Sequence, residues 1–163
     1  MSLVLLGFMG VGKTSVALCL NKPLYDMDKL IEKRIGMSIK EYFASQGEQA
    51  FRKVESQLLR ELLELQEDCI ISTGGGVVLT EENKRLLRAN QAQNILLTAS
   101  FETIYQRIMQ DNDSQRPLFL QSTKEEFYAL YQKRMKLYED LVSRVISTEN
   151  KTPQEIARII ECM

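Results

Sequence analysis

The eight residues Gly7-Phe8-Met9-Gly10-Val11-Gly12-Lys13-Thr14 satisfy the pattern G-x-x-x-x-G-K-[ST] at every position. They follow a short apolar run, Leu3–Leu6, and precede a stretch with helical spacing, Ser15–Leu20, so the local order is strand, glycine loop, helix. Glycine is needed because backbone N–H groups must curl inward around an anion, in conformations and at distances that a Cβ would obstruct. The loop delivers that anion to a helix N-terminus, where unpaired N–H groups and the macrodipole favour negative charge. This chemistry is that of a nucleoside triphosphate site. Gly10, Val11, Gly12 and Ser15 would line it, Lys13 would reach the β- and γ-phosphates, and the Thr14 hydroxyl would ligate Mg²⁺.

The remainder of the chain alternates in the same way. Cys69–Ser72, Asn94–Thr98 and Leu141–Ile146 have strand length, and Pro23–Asp26 is a weaker candidate. Between them Lys29–Ile35, Ser38–Leu65 with a break at Gly47, Glu81–Asn90, Phe101–Gln110, Lys124–Asp140 and Pro153–Cys162 read as helices. The expected fold class is therefore α/β, a mostly parallel sheet with helices on both faces, which binds ligands beyond the carboxyl ends of its strands. No repeat, low-complexity tract or linker divides the sequence, and residues 1–163 are expected to form one domain.

Composition removes whole classes of function. Zero histidines exclude Ser-His-Asp and Cys-His mechanisms and the commonest zinc ligand, leaving proton transfer to Asp, Glu, Lys or Tyr. Cys19, Cys69 and Cys162 are odd in number and form no C-x-x-C pair, which argues for a reducing cytoplasm over a disulfide framework. Twenty-one basic against 22 acidic residues leave no global field for nucleic acid or an anionic membrane. The apolar run Leu3–Leu6 is too short for a span or an export signal. No Asn-Lys pair, Asn21-Lys22-Pro23-Leu24 included, continues to the Asp of an N-K-x-D guanine motif, so a small regulatory GTPase is unsupported.

Tyr25-Asp26-Met27-Asp28 places two carboxylates at the end of the weak second strand. One beside Mg²⁺ can hold its water shell and the other can accept a hydrogen bond from an attacking hydroxyl; the competing explanation is an ordinary helix N-cap with acidic first-turn residues. Arg52, Arg116 and Arg134 each lie in segments suited to the functional edge. Arg116 follows the polar run Gln110-Asp111-Asn112-Asp113-Ser114, suited to a mobile lid at about residues 111–123 that closes an arginine over the transferring phosphoryl group. Thr73-Gly74-Gly75-Gly76 after the strand Cys69–Ser72 is a second place where backbone must come close to a ligand.

In order and spacing, Gly7–Thr14, Asp26-Met27-Asp28 with Ile31-Glu32, Gly47-Glu48 with Phe51-Arg52 and Glu55, Thr73–Gly76, Arg116-Pro117-Leu118, and Arg134 with Tyr138-Glu139 together resemble the shikimate kinases. These are small P-loop enzymes that phosphorylate the 3-hydroxyl of shikimate with ATP on the route to chorismate and the aromatic amino acids. The resemblance implies a three-layer α/β/α P-loop kinase fold with a five-stranded parallel sheet and a mobile lid, working as a monomer. It implies that Asp28, Arg52, Gly74, Gly75, Gly76 and Arg134 bind shikimate, with Asp28 at its hydroxyls and both arginines at its carboxylate. Thr14 and Asp26 would serve Mg²⁺, Lys13 and Arg116 the transferring phosphoryl group, and Arg107 would wall the adenine opposite Lys151-Thr152-Pro153. One departure is visible: the interval from Lys13 to Asp26 is about four residues shorter than is usual in the family, so the first helix should lose about one turn. The rival readings are a kinase of the same fold acting on gluconate or a nucleoside monophosphate, and a regulatory nucleotide-binding module without catalysis.

Overall fold

The computed structural model describes residues 2–110 and 122–163. Its strands β1 (Leu3–Leu6), β2 (Leu24–Asp26), β3 (Ile70–Ser72), β4 (Asn94–Thr98) and β5 (Arg144–Ser147) form a single sheet in the order β2-β3-β1-β4-β5. Every pairing is parallel, with Val4 opposite both Ile71 and Asn94 in the central strand.

A parallel sheet must be covered on both faces, and the alternation of side chains along each strand shows which residue goes where. Leu5, Ile70, Ile95 and Leu97 pack on one face with α1 (Lys13–Leu18), α6 (Phe101–Gln110) and α8 (Pro153–Glu161). Val4, Leu6, Ile71 and Leu96 pack on the other with α2 (Met27–Ile35), α4 (Glu48–Leu63) and α5 (Glu81–Ala89). A short helix, α3 (Ile39–Gln46), joins α2 to α4. The helix α7 (Lys124–Tyr138) belongs to both layers: Phe127 packs in the first cluster and Tyr138 in the second. On its way Tyr131 donates to the Ala99 carbonyl and Arg134 to the Gly75 carbonyl, so α7 passes over the carboxyl ends of β4 and β3.

The helices that follow the neighbouring strands β1 and β3 leave to opposite faces, α1 to one and α5 to the other. That divergence opens the crevice in which sheets of this kind bind ligands. Most helix starts carry a side-chain cap, including Asp26 on α2, Ser38 on α3, Thr80 on α5, Thr123 with Glu126 on α7, and Thr152 on α8. By contrast, α1 and α4 open on Gly12 and Gly47, both with positive φ and without a side-chain cap.

The structure adjusts three expected boundaries. Helix α1 begins at Lys13 rather than Ser15, because left-handed Gly12 turns the chain directly into the helix, and it stops after six residues at Leu18. Helix α2 begins at Met27, directly after β2, with Asp26 as its cap. The last strand starts at Arg144 rather than Leu141: the buried Asn94 amide donates to the Leu141 carbonyl at 2.7 Å, holding residues 139–141 in a 3-10 turn before the ladder begins.

Candidate active site

The glycine loop runs from the end of β1 into α1. A Cβ on Gly7 would stand 2.8 Å from Val11 Cγ1 and 2.9 Å from the Leu97 carbonyl oxygen. Gly10 and Gly12 adopt φ of 81° and 100°, the left-handed region that L side chains avoid. Val11 buries its side chain while its N–H closes a turn onto the Phe8 carbonyl at 3.2 Å. Thr14 and Ser15 expose their hydroxyls on the first turn of α1. Lys13 folds back along the loop, its Nζ donating to the carbonyls of Gly7 at 2.5 Å and Phe8 at 3.3 Å.

The outer side of the loop is held by Arg107 of α6. Its Nη1 lies 3.4 Å from the Gly10 carbonyl, 3.2 Å from that of Val11 and 3.3 Å from Thr148 Oγ1. In a trans peptide the N–H points opposite to its carbonyl, so the Val11 carbonyl held by Arg107 turns the Gly12 N–H away from that cation, while the Val11 N–H is used within the loop. Arg107 therefore sits against the nucleotide loop, and Thr148 in the following loop is tied to the end of β4 through the Thr98 carbonyl.

Opposite the loop, the Thr73–Gly76 turn gathers three of the expected side chains. A Cβ on Gly74 would stand 2.8 Å from Asp28 Oδ1, one on Gly75 3.9 Å from Arg134 Nη1, and one on Gly76 2.5 Å from Arg52 Nη2. Each glycine thus faces one functional group. Thr73 anchors the turn to β1, its hydroxyl donating to the Leu5 carbonyl at 2.8 Å.

The two arginines are held differently. Arg52 Nη1 donates to both carboxylate oxygens of buried Glu55, at 3.0 and 3.1 Å, and to the Gly76 carbonyl at 3.1 Å. Its Nε is buried without a hydrogen bond, the Glu48 carboxylate standing 3.5 Å away. Arg134 is 5% exposed and donates to the Gly75 carbonyl at 2.7 Å, an acceptor it shares with the Tyr138 hydroxyl. Among the described residues no carboxylate forms an ion pair with Arg134. Burial lowers its pKa, and the positive charge of Arg52 acts in the same direction. Burial likewise raises the pKa of Glu55, against the opposing pull of Arg52. Two buried or half-buried guanidiniums, one with no carboxylate ion-paired to it among the described residues and one facing Glu55 and Glu48, are groups of the kind that can bind a planar carboxylate.

Asp26 is half-buried and caps α2, its Oδ1 accepting from the Lys29 N–H at 3.4 Å, so the helix-cap explanation is correct for this residue. That long bond leaves the carboxylate with acceptor capacity. Asp28 lies in the first turn of α2, exposed and pointing at Gly74. Among the described residues no group of three or more His, Cys, Asp or Glu could hold a metal. The Thr14 hydroxyl and the Asp26 carboxylate, at the carboxyl ends of β1 and β2, are oxygen donors of the type that Mg²⁺ takes, an ion that keeps waters and binds phosphate oxygens. Arg116 and most of the expected lid lie outside the described residues. A cleft of about 480 Å³ among Leu3, Leu20, Asn21, Ile95 and Met163 contains none of these groups.

The family model for shikimate kinase matches residues 9–163. The chain belongs to the shikimate kinase family. It is 57% identical to the shikimate kinase of Streptococcus suis strain 05ZYH33 over 99% of both chains, and 55% identical to that of Streptococcus thermophilus over 100% of both. Its fold resembles that of a solved shikimate kinase from Acinetobacter baumannii in complex with shikimate, with a TM-score of 0.84 and 28% identity over 98% of this chain and 90% of that one. Sequence reasoning assigned no role to Ser56, Asn83, Tyr138 or Thr148; Tyr138 bonds directly to the Gly75 carbonyl, and the other three reach these groups through other side chains. Of these, Tyr138 stood inside a quoted motif, and nothing in the local sequence marked the others.

Proposed function

We propose that this chain transfers the γ-phosphoryl group of ATP to the 3-hydroxyl of shikimate. The observation that carries the reading is the pairing of Arg52 and Arg134 against the Gly75-Gly76 turn, directly across from the glycine loop. A carboxylate held by both guanidiniums fixes the ring, and Asp28 is the carboxylate placed to orient the hydroxyl or accept its proton.

In this reading the loop amides hold the triphosphate and Lys13 swings from the Gly7 and Phe8 carbonyls onto the β- and γ-phosphates. Bound Mg²⁺, served by Thr14 and, through water, Asp26, would supply charge neutralisation on the phosphates. Arg116 would add a second cation from the lid, whose closure excludes the water that would otherwise hydrolyse ATP. Arg107 contributes to the nucleotide site, and Gly74, Gly75 and Gly76 to the acceptor site. The same reading takes the protein as a cytoplasmic monomer acting on small molecules, without a nucleic-acid or membrane partner. Among the described residues no helix is long and apolar enough to cross a membrane.

The test is ADP release measured with shikimate, gluconate and nucleoside monophosphates as separate acceptors. Mg²⁺-dependent turnover with shikimate alone is expected. ADP release that does not respond to shikimate would overturn the assignment.

A further inference from the structure

The acceptor clamp extends behind Arg52 into a buried polar chain that joins α4 to α5. Glu55, Ser56 and Asn83 are 1%, 8% and 0% exposed. Asn83 Nδ2 donates to Glu55 Oε1 at 3.1 Å, and Asn83 Oδ1 accepts from the Ser56 hydroxyl at 2.6 Å. The first bond fixes the sense of the amide, because an ionised carboxylate only accepts whereas the hydroxyl can turn to donate: nitrogen towards Glu55, oxygen towards Ser56. Asn83 holds the third position of α5, where a Glu or Gln could reach back to complete a capping box with Thr80. Its side chain instead crosses to the neighbouring helix.

We infer that Asn83 is a positioning residue for the acceptor carboxylate, acting through Glu55 on the Arg52 guanidinium; the inference rests on the proposed acceptor. Arg52 Nη1 is oriented by both Glu55 oxygens and the Gly76 carbonyl, and its buried Nε faces the Glu48 carboxylate at 3.5 Å. Glu55 anchors that cation strongly only while ionised, and burial works against ionisation. The charged groups facing it are Arg52 on its own helix, Asp28 from α2 and Arg134 from α7: the carboxylate of Asp28 disfavours its charge, and Arg52 and the Asn83 amide favour it. Removing the Asn83 donor withdraws one of the interactions that keep Glu55 charged.

The experiment compares wild type, Asn83→Leu and Ser56→Ala by steady-state kinetics for shikimate and ATP between pH 5.5 and 8.5, a window spanning about three units, alongside thermal unfolding. Asn83→Leu is expected to raise the shikimate KM about tenfold with the ATP KM unchanged. The pH below which the shikimate KM climbs should also move upward. Ser56→Ala, which removes the hydroxyl donor that holds Asn83 Oδ1, should move both readouts in the same sense by less. A purely structural role would lower the melting temperature and the active fraction while leaving the shikimate KM and its pH profile at wild-type values, and that result overturns the inference. If Asn83→Leu does not fold, an unchanged shikimate KM in Ser56→Ala overturns it equally. Absence of shikimate turnover in the wild type would remove the parent reading and this one with it, and is recognisable because the variants play no part in it.

Discussion

The Arg52 guanidinium fills the space that a side chain on Gly76 would need: a Cβ there would stand 2.5 Å from Nη2 and 2.8 Å from Nη1, while Nη1 also donates to the Gly76 carbonyl. Gly76 has an ordinary negative φ, so it is glycine for room and not for conformation. The absence of a side chain there gives Arg52 its place.

Gly76→Ala should therefore push Arg52 off its position while leaving the core intact, because the displaced atoms are the end of a flexible side chain. The expected result is a shikimate KM raised about tenfold, or about 1.4 kcal/mol, with little change in the ATP KM. Isothermal titration with shikimate checks it, and wild-type affinity would refute the steric argument.

In the nucleotide loop the two left-handed glycines should respond unequally. A Cβ on Gly12 meets nothing within 4 Å, so Gly12→Ala carries only backbone strain, roughly 1–2 kcal/mol. A Cβ on Gly10 also meets Ile108 Cγ1 at 3.0 Å and Cδ1 at 3.2 Å, and φ is 81° there as well. Gly10→Ala should weaken ATP binding and lower the unfolding midpoint more than Gly12→Ala; equal effects would contradict the packing against α6.

Lys13→Ala should reduce kcat by about 10²–10³-fold, the range found when one donor to developing charge is removed. The fold should persist, since the Lys13 ammonium bonds to the half-enclosed carbonyls of Gly7 and Phe8, which water can satisfy in its place. Single-turnover phosphoryl transfer, with circular dichroism as the fold control, provides the measurement.

Glu55 gives stability a pH dependence of known sign. Its folded-state pKa is raised by burial, so the native state takes up this proton more readily than the unfolded chain. Its contribution is greatest below the unfolded value near 4.5 and is lost as pH rises through the raised folded value. The urea stability of wild type relative to Glu55→Gln should accordingly fall as pH increases from 4.5 towards neutrality. A difference that grows over that range would contradict the burial argument.

The glycine loop, the strand and helix alternation and the order of the motifs were legible in the sequence because each is local: periods of two and 3.6 residues, and glycines where a backbone must turn or approach. The last strand was misplaced by three residues because its start is set by Asn94, 47 residues from the Leu141 carbonyl it holds. The path of α7 across both layers was not legible either, since a helix that buries different sides along its length shows no single apolar stripe.

By itself the sequence determined a parallel α/β sheet, a glycine loop at its edge and the ordered motifs of the family, because local pattern and motif order carry those. Only the tertiary structure decided that Gly74, Gly75 and Gly76 each face one functional side chain, that Arg107 lies on the loop carbonyls, and that Glu55 and Asn83 stand behind Arg52. Those relations join helices far apart along the chain, and they exist only where packing brings a buried donor within reach of its acceptor.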